Sequence, residues 1–191
     1  MSLNPLSGSR HALCSTPRVT VMSFVLAAAF ALPASLRLGD QTLAAASCAT
    51  RETLGLSHYT ATLYVRAGES APIALLDPNR AKALEIGLLS RALMPPEIPR
   101  KYRRALDGVL DDAAMTQVRA AYRELRPGDA VTIAYLPRRG VSVRVNGAVI
   151  ATSPDHRVVE SVLATWANGK PIDQHLRATL AKHPCTTPLT G

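Results

Sequence analysis

Aromatic side chains are scarce: the 191 residues include two Phe, one Trp and five Tyr, 4% of the chain. The 47% apolar content is enough for one domain with a full-sized core, so that core must be aliphatic. No apolar run is long enough to span a membrane: Val19 to Leu32 covers about 14 residues where about 20 are needed, and Pro33 ends it. Metal chemistry has no visible basis either, because no cysteine has a C-x-x-C partner and His58, His156, His175 and His183 share no ligand spacing. These histidines are expected to be solvated or packed, and no cofactor is expected. Internal repeats and low-complexity segments are absent.

The short apolar run has a different meaning at the N-terminus. Arg10 and Arg18 precede it, and Ala44-Ala45-Ala46 offers a small-x-small cleavage pattern before Ser47. A secretory signal over 1–46 follows, cut somewhere from Ala34 to Ala46, with a domain over 47–191 exported to the periplasm. No membrane span is expected after processing. Removing three arginines and Asp40 with that segment lowers the formal charge from +8 to +6, so the mature domain stays basic. Arg100-Lys-Tyr-Arg-Arg104 concentrates that charge, but one aromatic and no recognised nucleic-acid motif accompany it, which favours a solvated helix face over nucleic-acid binding. Of the three cysteines, Cys14 leaves with the signal. Cys48 and Cys185 remain near the two ends of the domain, where they could pair in an oxidising compartment; a lipid-modified Cys48 or two free thiols are the alternatives.

The clearest fold signal lies between Leu125 and Thr152. Pro127-Gly128-Asp129 turns the chain, Val131, Ile133 and Tyr135 alternate with small or polar residues, Arg138-Arg139-Gly140 turns it again, and Val141, Val143 and Val145 alternate once more. Asn146-Gly147 then gives a tight hairpin, whose central residues need positive φ. An antiparallel meander results. His58–Val65 alternates in the same way, and Lys82–Leu89, with Leu84, Ile86 and Leu88 on one face, is expected as a further strand, with a helix over Ala81 to Leu93 as the alternative. The domain proper is expected to begin near Arg51.

Helices fall between and after these strands. Pro99 fits only the first turn of a helix, which is expected from Ile98 to Leu110. Asp111 or Asp112 caps a second, with Met115, Val118, Tyr122 and Leu125 as an apolar stripe that reads as core. Asp155 caps a third, carrying Val158, Val162 and Trp166, with Trp166 a core anchor. Asp173 caps the last.

Leu125-Arg-Pro-Gly-Asp, the Val-Arg-Val-Asn-Gly hairpin and Trp166-Ala-Asn-Gly-Lys-Pro-Ile-Asp-Gln-His-Leu-Arg, with Arg51 placed ahead of Ala61-Thr-Leu-Tyr-Val, together resemble the bacterial branch of the chalcone isomerase-like family. The resemblance implies an α+β fold, an open-faced β-sandwich with a large antiparallel sheet, helices layered on one face and a ligand cleft between. Some members of that family cyclise chalcones; others bind fatty acids. It places Arg51 at the family's arginine and Tyr59 at its catalytic threonine, whereas the tyrosine and asparagine donors fall on Ile98 and Ala105, which cannot donate through their side chains. The expectation is therefore a small anionic or fatty-acid-like ligand held by Arg51, Tyr59, Ala61 and Tyr102 without efficient catalysis. The alternatives are an intramolecular lyase using Arg51 and Tyr59, and a cell-envelope partner-binding module.

Overall fold

The computed structural model describes residues 33–69, 77–92 and 94–155, together with Ala74, Val158, Val162 and Cys185. Seven strands, β1 Ser35–Leu38, β2 Gln41–Thr53, β3 Leu56–Val65, β4 Lys82–Leu88, β5 Ala130–Leu136, β6 Gly140–Val145 and β7 Ala148–Ser153, form one sheet in sequence order. Every neighbouring pair is antiparallel. Helices α1 Arg100–Leu106 and α2 Asp112–Glu124 lie between β4 and β5. Among the described residues, no helix is long and apolar enough to cross a membrane.

Alternation along the strands sorts residues between two faces. Ala49, Ala61, Leu63, Val65, Leu84 and Val143 face the helices and join Leu106, Leu110, Ala114 and Met115 in the main core. The opposite face holds a smaller cluster of Leu38, Leu43, Tyr64, Ala81, Ala83 and Ala134. The core is aliphatic, as the shortage of aromatics requires.

One strand region and one helix differ from the sequence reading. The sheet starts at Ser35, well before Arg51, because Leu36, Leu38 and Leu43 bury themselves behind it and Tyr64 Oη donates to the Pro33 carbonyl at 2.9 Å. Leu36, Leu38 and Leu43 fall inside the expected cleavage window. Helix α1 is also shorter than Ile98 to Leu110. Gly108 takes φ +82°, a conformation that ends a helix easily, and Leu110 N donates back to the Leu106 carbonyl across the turn. Asp111 does cap α2, its Oδ1 accepting from Ala114 N at 2.7 Å. At the β5–β6 turn, a Cβ on Gly140 would run into the Ser153 carbonyl oxygen, so that position requires glycine.

The face away from the helices carries a polar row. Cys48, Thr62, Glu85 and Thr132 are successive cross-strand partners from β2 to β5. Thr132 Oγ1 donates to Glu85 Oε2 at 3.1 Å, and Cys48 Sγ lies 3.3 Å from Thr62 Oγ1. Cys48 is bonded to Cys185, 137 residues away, with 5.0 Å between their Cα atoms. Burial raises the Glu85 pKa above its ordinary value, against the hydrogen bond from Thr132, which lowers it. A raised folded-state pKa contributes stability at pH below the unfolded carboxyl value and loses it as pH climbs through the raised one. Glu85→Gln, which keeps an acceptor for Thr132, should melt higher than the parent at neutral pH, with the gap in Tm shrinking towards acid pH. Parallel pH profiles for the two proteins would contradict the assignment.

On the same sheet, Lys82 is 1% exposed, and its ammonium donates to the carbonyls of Ala74 at 3.0 Å and Asp77 at 2.8 Å. It tethers the β3–β4 connection. Of the segment from Ile73 to Leu76, only Ala74 is among the described residues. Trp166, Gly169, Asp173, Leu176 and Leu180, with His156, His175 and His183, lie outside the described residues.

Candidate ligand-binding cavity

A cavity of about 500 Å³ opens between the helices and the sheet, within the ordinary size range of small-molecule sites. Its deep wall is aliphatic: Leu106, Leu110, Val143, Val158 and Val162 line it, and all are buried. At the other end, towards solvent, stand Arg51, Thr53, Lys101 and Tyr102, with the buried His58 and the half-buried Tyr59 beside them. Among the described residues, the lining therefore holds two fixed cations and no carboxylate.

Sheet register assembles this polar end. Arg51 pairs across the strands with Tyr59, and Tyr59 with Leu88, so the three share the cavity-facing surface. Immediately beyond, Glu52 pairs with Ser57, which leaves His58 as the extra residue of a β-bulge. Successive strand residues normally point to opposite faces, and a bulge re-aims one of them. His58 and Tyr59 accordingly both reach the cavity. His58 is 9% exposed, and neither ring nitrogen has a hydrogen-bond partner among the described residues. Its main-chain carbonyl instead holds the end of β4, accepting from Leu89 N at 2.8 Å and Ser90 N at 3.0 Å.

The segment from Ser90 to Pro99 forms the remaining rim, and α2 ties it down. Arg91 Nη1 donates to the carbonyls of Arg123 at 2.7 Å and Leu125 at 2.8 Å, satisfying groups left open at the helix end. Arg123 pairs with Glu97 at 2.6 Å, and Tyr122 Oη donates to the Pro95 carbonyl at 3.2 Å. The Tyr122 phenol is thus committed to the rim.

Electrostatics at the polar end favour an anion. Burial first, then the nearby Tyr102, outweigh the opposing pull of Arg51 and push the Tyr59 pKa up to about 12, so its phenol remains a donor at neutral pH. Desolvation, followed by repulsion from Arg51, pulls the Lys101 pKa down. The Lys101 ammonium also sits 4.7 Å from the centre of the Tyr102 ring. An anion placed between Arg51 and Lys101 would relieve the repulsion that this pair otherwise carries.

Three residues chosen from the sequence, Arg51, Tyr59 and Tyr102, come together here. Ala61 does not join them. It is 0% exposed within the core, and the neighbouring wall is made by Ile86, its longer cross-strand partner on β4. Ile98 lines the cavity with an apolar side chain, and Ala105 is not part of the lining. The α2 stripe divides: Met115 packs in the core, whereas Val118, Tyr122 and Leu125 face the cavity. Lys101 and His58 were missed, Lys101 because its neighbours look like a solvated basic helix and His58 because alternation assigns it to the other face. Among the described residues, no group of three or more His, Cys, Asp or Glu could hold a metal ion.

A curled antiparallel sheet with helices on one face and an apolar cleft between them is an open-faced α+β sandwich. A profile of the chalcone isomerase-like family matches residues 25–181, and the chain belongs to that family. The fold is also similar to the crystal structure of a fatty-acid binding protein from Arabidopsis thaliana, with 14% sequence identity and a TM-score of 0.51 over 78% of this chain and 90% of that one. No curated protein matches the sequence.

Proposed function

We propose that this protein is an exported, non-catalytic binding protein for a fatty-acid-like carboxylate, whose head lies at Arg51 and Lys101 and whose chain fills the aliphatic end. The carrying observation is the lining itself, which among the described residues has two cations, no carboxylate and a deep wall of leucine and valine. The similar Arabidopsis fold belongs to a protein that binds fatty acids, which supports the same ligand class. Ile98 and Ala105, at the positions where the family's catalytic branch has hydroxyl and amide donors, speak against efficient isomerisation, because developing enolate charge would lose preorganised donors. Export is supported by the N-terminal basic and apolar pattern and by a disulfide, a bond that persists in oxidising compartments. On this reading the cut falls near Ala34, at the start of the expected window, since cleavage at Ala46 would remove β1 and part of β2.

Competitive displacement of a fluorescent fatty acid from the delipidated protein tests the reading. Palmitate should bind about tenfold or more tighter than its methyl ester, because charge-assisted hydrogen bonds to the head are lost in the ester. Equal binding of acid and ester would remove the proposed head site. Stereoselective closure of a chalcone in the same preparation would support the lyase reading instead.

A further inference from the structure

The β2–β3 turn is unusual at its first central residue. Leu54 has φ +53° and Gly55 φ +74°, a pattern that favours Asn-Gly and that leucine adopts only under strain. Leu54 is 91% exposed, and Leu56 beyond the turn is 49% exposed. No burial of Leu54 within the described structure offsets that strain.

The turn sits beside the cavity mouth. Thr53, next to Leu54, and Lys101, in α1, line the same opening, so the hairpin tip and the helix flank it. Arg100, Lys101 and Arg104 are exposed on α1. Arg100 and Arg104 are one helical turn apart and make no ion pair among the described residues. Exposed leucines and clustered cations thus lie beside Thr53 and Lys101, where the cavity opens towards solvent.

We infer that this rim is a docking surface for an anionic lipid bilayer, with Leu54 and Leu56 entering the interface and Arg100, Lys101 and Arg104 facing the head groups. Charge complementarity selects the bilayer: each basic side chain near an anionic surface strengthens adsorption, and apolar side chains add through burial in the interfacial zone. A docked mouth lets a fatty-acid-like molecule pass between bilayer and cavity without crossing water. This purpose rests on the proposed ligand, whereas the adsorption itself does not.

Sedimentation of the full mature chain with vesicles of phosphatidylcholine containing about 30% phosphatidylglycerol reads the inference directly. The protein should pellet with these vesicles, far less with pure phosphatidylcholine, and less in high salt as screening weakens the attraction. Leu54→Asn with Leu56→Ser should weaken vesicle partition about tenfold, and Arg100→Gln with Arg104→Gln about thirtyfold. Leu54→Asn relieves the positive-φ strain, so that single variant should melt no lower than the parent, which separates lost docking from lost folding. Palmitate displacement, run below its aggregation concentration, should be unchanged in all these variants. Retained palmitate binding with no vesicle adsorption, or adsorption indifferent to all four substitutions, overturns the docking surface and leaves the ligand reading intact. Adsorption that is lost as expected in a protein with no palmitate binding upholds the surface and overturns the ligand reading.

Discussion

Replacing Cys48 and Cys185 with serine, or reducing their bond, is expected to destabilise the protein by about 2–5 kcal/mol, the largest effect foreseen for any change considered. The bond joins residues 137 apart. In the chain-entropy account, closing so long a loop restricts the unfolded ensemble by about 5 kcal/mol, and strain or residual structure reduces the observed gain. For a chain of this length, about 3 kcal/mol corresponds to a fall in Tm of roughly 10 °C. Melting curves with and without dithiothreitol would measure it. Coincident curves would show that the bond contributes nothing to stability. Because the disulfide meets β2 on the sheet face away from the cavity, palmitate affinity measured well below Tm should change little.

The second large effect concerns binding. Arg51→Ala should weaken palmitate about 10- to 100-fold, the range for losing a charge-assisted contact to a carboxylate, while binding of the methyl ester stays near its parent value. Arg51 has no ion pair or side-chain hydrogen bond among the described residues, so its removal should barely move Tm. Lys101→Gln should act in the same direction with a smaller loss, since Lys101 is the more exposed cation. If acid and ester weaken equally in Arg51→Ala, the arginine is shaping the cavity and does not read charge.

The sequence exposes this fold unevenly, for physical reasons. Strands β5 to β7 are plain because β-branched residues alternate with polar ones between turns that only Pro-Gly, Arg-Gly and Asn-Gly pairs make easily. The first half of β2 is hidden, because Ala44, Ala45 and Ala46 have weak strand preference and also suit a cleavage site. The site divides along a similar line. Arg51 and Tyr59 come from their placement ahead of Ala61-Thr-Leu-Tyr-Val, and register then puts them side by side. The aliphatic wall stays illegible, since Val131, Ile133 and Val143 have the same spacing whether they face a packed helix or an empty cleft. Ala61 shows the converse error, with the correct face chosen but the side chain too short to reach the cavity. The turn of His58 towards the cleft depends on a one-residue bulge that no local pattern announces.

The strictly sequential strand order has a consequence for how the molecule comes into being. Each strand from β2 to β7 pairs with the one made just before it. A chain emerging N-terminus first can therefore extend its sheet one strand at a time, along an edge that is already out, without holding any strand in reserve for a distant partner. The Cys48–Cys185 bond is the exception. It must wait until Cys185 appears, after all seven strands, so it seals a sheet whose strand order has already been decided.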